Sequence, residues 1–155
     1  MLVEVKPAKK ARERGNVVRV AIINVCETGH RVLDAVRPAV VEFFEKLGAK
    51  AEIVAEGNLW IGVVDLSDLV GTLEETVKRA DAALVSALET DADAVVVVLT
   101  GPYLIAFAAL ERIRRSVGHK VILIAQFDMA SRKYVFIEDR RLFEILHTPF
   151  RGGVE

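Results

Sequence analysis

The sequence predicts a three-layer α/β domain, Rossmann-like or flavodoxin-like in plan, with a mostly parallel sheet and an antiparallel hairpin at its C-terminal edge. Three observations predict it. Two runs rich in β-branched residues, VRVAIINV ending at Val25 and AVVVVL ending at Leu99, read as strands buried on both faces. Each halts at small polar residues and is followed by apolar residues at helical spacing, so strands alternate with helices. The connector Asp128 to Lys133 is too short for a parallel crossover, which takes a dozen residues or more, so Tyr134–Glu138 returns antiparallel to the run before it.

The elements follow in order. After a basic lead-in over residues 1–16, Val17–Val25 is the first central strand. Val36, Val40, Phe43, Phe44 and Leu47 then repeat at helical spacing up to Gly48, a natural helix stop. Pro38 would cost a hydrogen bond deep in a helix, which sets the regular helix start near Asp34 to Arg37. The loop after Cys26 is then long for an α/β connection: it is functional, or it conceals a kinked helix that begins early. Lys50–Glu56 alternates as a strand near a sheet edge does. Gly57-Asn58 between apolar runs is a hairpin turn or a simple loop. Thr72 and Glu75 have capping-box spacing for the next helix, with Asp65 to Val70 as an extra turn before it. Ala94–Leu99 is the second central strand, Pro102 suits the first turn of the helix after it, and Gly118 suits that helix's end. Lys120–Gln126 is a third buried strand, Arg140–His147 a short helix, and residues 151–155 a tail. One domain over 17–150 accommodates all of this.

Composition narrows the function classes. A net charge of −1 and a pI near 6.3 remove the bulk electrostatic case for nucleic-acid binding. The basic residues between Lys6 and Arg14 read as a solvated segment. The longest uncharged stretch, Ala94 to Leu110, is interrupted by Thr100-Gly101-Pro102, a strand-to-helix turn that argues against a membrane span. No apolar signal core opens the chain, and a single cysteine suits a reducing compartment, so the expected location is the cytoplasm. Asn16, Asn24, Asn58 and Gln126 are the only amide side chains, a depletion of thermolabile residues that suggests a thermophile.

Ligands in open parallel sheets sit beyond the carboxyl ends of the strands, where strand order reverses. Here those ends carry Asn24, Cys26, Glu27, Thr28, Gly29 and His30 from the first strand, Thr100, Gly101 and Tyr103 from the second, and Gln126 and Asp128 from the third. The leading expectation is a binding or regulatory module in which these residues and the helix amides behind Gly101 hold a small anionic ligand, a nucleotide among the candidates, in a homodimer. On that reading Gly101→Asp removes the ligand and spares the fold. An alternative is a small hydrolase or transferase in which His30 activates Cys26 and Glu27 or Asp128 orients the ring. A further alternative is a structural subunit contacting its partner through Leu59–Val64 and the basic segment. Cys26 and His30 are too few for a metal centre, with His119 and His147 placed elsewhere in the plan, and no cofactor is assigned. Trp60 reads as a packing residue.

The order of elements up to VVVVLTG is similar to that of molybdopterin-binding domains. That family's diagnostic second glycine is Pro102 here and its aspartate is missing, so no pterin-binding residue is carried over. The G-x-G-x-x-G and G-x-x-x-x-G-K-[ST] loops are also absent.

Overall fold

The computed structural model describes residues 16–118 and 120–150. The lead-in before Asn16, His119 and the tail from Arg151 lie outside the described residues. The strands β1 (Val17–Glu27), β2 (Lys50–Ile61), β3 (Ala94–Val98), β4 (Val121–Asp128) and β5 (Lys133–Glu138) form one five-stranded sheet. Its order is β2-β1-β3-β4-β5, parallel except for the antiparallel β4–β5 pair. The helices are α1 (Val32–Lys46), α2 (Leu69–Glu89), α3 (Tyr103–Ser116) and α4 (Asp139–Leu146). The three-layer α/β plan with an antiparallel C-terminal edge is therefore the fold. No helix among the described residues is long and apolar enough to cross a membrane.

Alternation along the central strands builds two cores. Val20 and Ile22 of β1, Val96 and Val98 of β3 and Leu123 of β4 face α1, meeting Val36, Val40 and Phe44. Ile23 and Val25, Val95 and Val97, and Ile122 and Ile124 face the other way, onto Leu84 of α2 and Ile105, Ala109 and Ile113 of α3. β3 is the central strand, and Val95, Val96, Val97 and Val98 are fully buried, as the β-branched run requires.

Several local expectations are corrected. Gly57-Asn58 is neither turn nor loop: β2 runs straight through, pairing Gly57 with Ile23 and Asn58 with Asn24. Leu59–Val64, expected as a partner contact of a structural subunit, is the end of an edge strand and the loop after it. α1 starts at Val32, earlier than Pro38 suggested, and Pro38 is carried within the helix on its exposed side. α2 starts at Leu69 and not at Thr72. Asp68 is its N-cap, accepting from Gly71 N–H (3.1 Å), while Thr72 donates its hydroxyl back to the Asp65 carbonyl (2.9 Å). Pro102 occupies the N-cap position of α3. The Arg112 and Arg114 side chains bind helices together: Arg112 pairs with Asp81 of α2 through two bonds (2.8 and 2.9 Å), and Arg114 pairs with buried Asp139 of α4 (2.7 Å).

Candidate functional site

The order β2-β1-β3-β4-β5 places the reversal between β1 and β3. Chain leaving β1 turns toward α1 through Thr28–Arg31, and chain leaving β3 turns toward α3 through Leu99–Pro102, the point at which open parallel sheets place their ligands. The predicted residues of the first two strand ends do meet here, but most of them face one another.

Asn24 is the centre of the arrangement. It is fully buried, so each of its polar atoms needs a partner. Its Nδ2 donates to Asn58 Oδ1 (2.8 Å) and to the Cys26 carbonyl (3.1 Å), and its Oδ1 accepts from the Thr100 hydroxyl (2.7 Å). Thr100 Oγ1 in turn accepts from Cys26 N–H (2.8 Å). One amide thereby ties together the ends of β1, β2 and β3. Thr100, expected among the ligand-binding residues, is spent on this network. Sequence reasoning placed Asn58 in a hairpin turn or a simple loop and missed its part in the network; the signal was the pairing of two of the chain's four amides at equivalent strand ends.

Gly101 completes the floor. Its φ of +84° is a conformation that glycine adopts without strain. A Cβ at this position would stand 2.3 Å from Cys26 Sγ and 2.6 Å from Cys26 Cβ. Gly101→Asp therefore disturbs the fold as well as the site, against the expectation of a clean ligand probe.

Cys26 has the environment of a packing residue. It is 1% exposed, and burial pushes its thiol up to about 11. Among the described residues no hydrogen bond joins it to His30, which stands exposed on the loop. A nucleophilic cysteine needs a depressed pKa and access, and this geometry supplies neither. At neutral pH a rise from 9.0 to about 11 leaves about a hundredfold less thiolate than an unperturbed thiol. Iodoacetamide is accordingly expected to modify native Cys26 more than a hundredfold more slowly than the unfolded chain; equal rates would restore the nucleophile reading.

Glu27 has a definite local task. Its carboxylate accepts from the backbone N–H groups of Gly29 (2.8 Å), Arg31 (2.8 Å) and Val32 (2.7 Å). It thus caps α1 across the loop and closes the turn in which Gly29 (φ +106°) and Arg31 (φ +49°) take left-handed conformations. These bonds, led by that from Val32, hold its carboxyl below the usual glutamate range. The positive end of α1 is therefore already filled by an anion of the protein's own.

Thr28 and Gly29 lie exposed on the same loop, and Tyr103 is 91% exposed at the first turn of α3. Asp128 is taken up locally: it accepts from the Ser131 hydroxyl (2.7 Å) and from the Ala130 and Ser131 amides (3.2 and 3.3 Å), closing the β4–β5 turn and keeping its own carboxyl below the usual range. Gln126 is exposed opposite Val135. Tyr134, which sequence reasoning passed over, lies close enough to Glu27 for that charge to add to burial in raising its phenol. Its ring packs edge-on to Phe127 (5.2 Å between centroids) at the same rim.

α3 begins differently from α1 and α2. Pro102 stands at its N-cap, and among the described residues no side chain bonds the first turn. The earliest helical bond there is Ala106 N–H to the Pro102 carbonyl (3.0 Å), so the amides of Tyr103, Leu104 and Ile105 precede the ladder. Among the described residues no group of three or more His, Cys, Asp or Glu side chains is placed to hold a metal ion. The chain matches no protein-family model, no curated protein and no solved structure.

Proposed function

We propose that the protein is a binding or regulatory module that takes a small anionic ligand, such as a nucleotide phosphate, at the β1/β3 switch point. The observation that carries this reading is the contrast between the two helix starts that follow β1 and β3. α1 is neutralised by Glu27, whereas α3 presents uncapped amides at Tyr103 and Leu104. Exposed Thr28 and Tyr103, and the Phe127–Tyr134 pair, give the ligand hydroxyl and aromatic neighbours. Burial and the raised pKa of Cys26 weigh against the alternative of a thiol-dependent hydrolase.

Leu104 is half exposed on the first turn of α3, so Leu104→Glu places a carboxylate beside those amides without entering the core. Thermal unfolding is to be followed with nucleoside mono- and triphosphates and with inorganic phosphate. A ligand at 100 times its dissociation constant adds about 2.7 kcal/mol, a shift of roughly 5–10 °C for a chain of this size. Wild type is expected to gain this shift and Leu104→Glu to lose it at an unchanged or slightly raised ligand-free Tm. A panel that stabilises neither protein, or both equally, would overturn the reading.

A further inference from the structure

The β5 edge of the sheet carries an inference independent of the switch point. β5 is the last strand in the order, so its outer side has no neighbouring strand. Among the described residues no hydrogen bond other than those of the β4 ladder reaches the backbone of Tyr134, Val135, Phe136 or Ile137. Proteins guard such an edge with charges along it, a bulge or a covering loop. Here the pairing with β4 has no register shift, and the charges stand only at the two ends. Arg132 and Lys133 open the strand, Glu138 closes it, and Tyr134–Ile137 between them is uncharged. Arg132, Lys133 and Glu138 are exposed, and among the described residues none of them joins an ion pair.

Side chains alternate along β5. Tyr134 and Phe136 pack toward α1, Phe136 with its ring centroid 5.0 Å from that of Phe43. Ile137 joins the core on the opposite face together with Leu142 of α4, and Val135, on that same face, is half exposed. α4 continues the apolar stripe of Leu142 into Ile145 and Leu146, and both of these are exposed.

This edge is complementary to itself. A two-fold axis normal to the sheet lays β5 antiparallel to its copy and keeps each face on its own side, so only residues of equal parity stand opposite one another. Centred on Val135, the pairing sets Glu138 opposite Arg132 and beside Lys133 at both ends of the seam. Centred on Phe136 it sets Glu138 opposite Tyr134, and centred on Tyr134 opposite Ala130, so neither gives the carboxylate a cation directly across. A parallel approach brings like charges together. We propose that a second copy of this chain pairs with the β5 edge in the Val135-centred register, joining two five-stranded sheets into one. Tyr134 then meets Phe136 on the α1 face, Val135 meets Val135 on the other, and the α4 helices flank the seam with Ile145 and Leu146. The apolar side chains supply the affinity; the end charges, exposed and individually weak, set orientation and register.

The test is sedimentation equilibrium of the full chain, with wild type expected to dimerise reversibly. Glu138→Lys leaves β5 with cations at both ends, and Arg132→Glu combined with Lys133→Glu leaves it with carboxylates at both. Each of these chains alone is expected to dimerise at least about tenfold more weakly, a loss of about 1.4 kcal/mol, while an equal mixture of the two recovers the dimer. Val135→Lys, at a half-exposed position, sets two lysines against each other across the axis and should weaken the dimer as much. Far-ultraviolet circular dichroism of each variant separates lost pairing from lost fold. A monomeric wild type would overturn the proposal and leave the edge to a different partner. So would a dimer indifferent to Val135→Lys, or charge variants that do not recover on mixing.

Discussion

Replacing Asn24 with leucine is expected to destabilise the protein by about 3 kcal/mol, among the largest effects a single polar substitution can have in it. Leucine keeps the branching of asparagine and leaves no cavity, but it is bulkier, so some overpacking adds to the lost hydrogen bonds at this fully buried site. The Thr100 hydroxyl loses its acceptor, and Asn58 Oδ1 and the Cys26 carbonyl lose their donor. A buried polar atom stranded in this way costs about 1–3 kcal/mol. Thr100→Val removes a single member of the network, leaving Cys26 N–H and Asn24 Oδ1 unmatched, and should cost less. Because both residues belong to one network, the double variant should lose less than the sum of the singles. Urea unfolding would measure each as a shift in midpoint at constant slope. Additive losses would show that the network does not act as a unit.

Gly101→Ala is the second large effect, expected at about 2–5 kcal/mol. The backbone contribution is about 1–2 kcal/mol, because φ is +84° and a Cβ is disfavoured in that region. Overpacking adds about 1–3 kcal/mol, because the new methyl meets the Cys26 side chain well inside van der Waals contact. Cys26→Ala removes the sulfur but leaves its Cβ 2.6 Å from the new methyl, so it should recover part of the packing loss and none of the backbone loss. A double-mutant cycle between Cys26→Ala and Gly101→Ala reads the sulfur's share of the packing loss. No recovery would place the penalty in the backbone and the Cβ–Cβ contact. The same geometry explains why Leu104, and not Gly101, is the position for testing ligand binding at the switch point: one side chain is half in solvent, the other site has no room for one.

Much of the architecture was legible because buried parallel strands and amphipathic helices leave different periods in a sequence. Ala94–Leu99 reads as a central strand from six consecutive apolar residues, and the first five of them form it. The antiparallel return of β5 followed from connector length alone. Misreadings arose where a local motif competed with a distant partner. Gly57-Asn58 has the composition of a turn, yet β1 supplies a parallel ladder on both sides of it and an amide partner at Asn24, which outweigh the turn preference. Thr72 and Glu75 have capping-box spacing, yet Asp68 reaches the first turn sooner and the helix begins there. Pro38 suggested a late start, yet Glu27 caps the loop from across the turn and initiates α1 ahead of it.

The candidate site divides in the same way. Which residues arrive at the carboxyl ends of β1 and β3 is a matter of strand order and length, and hydrophobic pattern determines both. Which of those residues remain open to a ligand is a matter of partners far apart in the chain. Asn24 and Thr100, 76 positions apart, satisfy each other, and Cys26 is buried under Gly101. Glu27 is consumed by its own loop and Asp128 by its own turn, while the amides at Tyr103 and Leu104 are left uncapped. By itself the sequence determined the layers, the two central strands, the antiparallel edge and the end of the sheet where a site belongs, because these depend on periodicity and connection length. Only the tertiary structure decided which polar groups there are spent on the fold and which are free, because a hydrogen bond is satisfied by proximity in space, and that proximity is set by β1, β2 and β3 coming side by side.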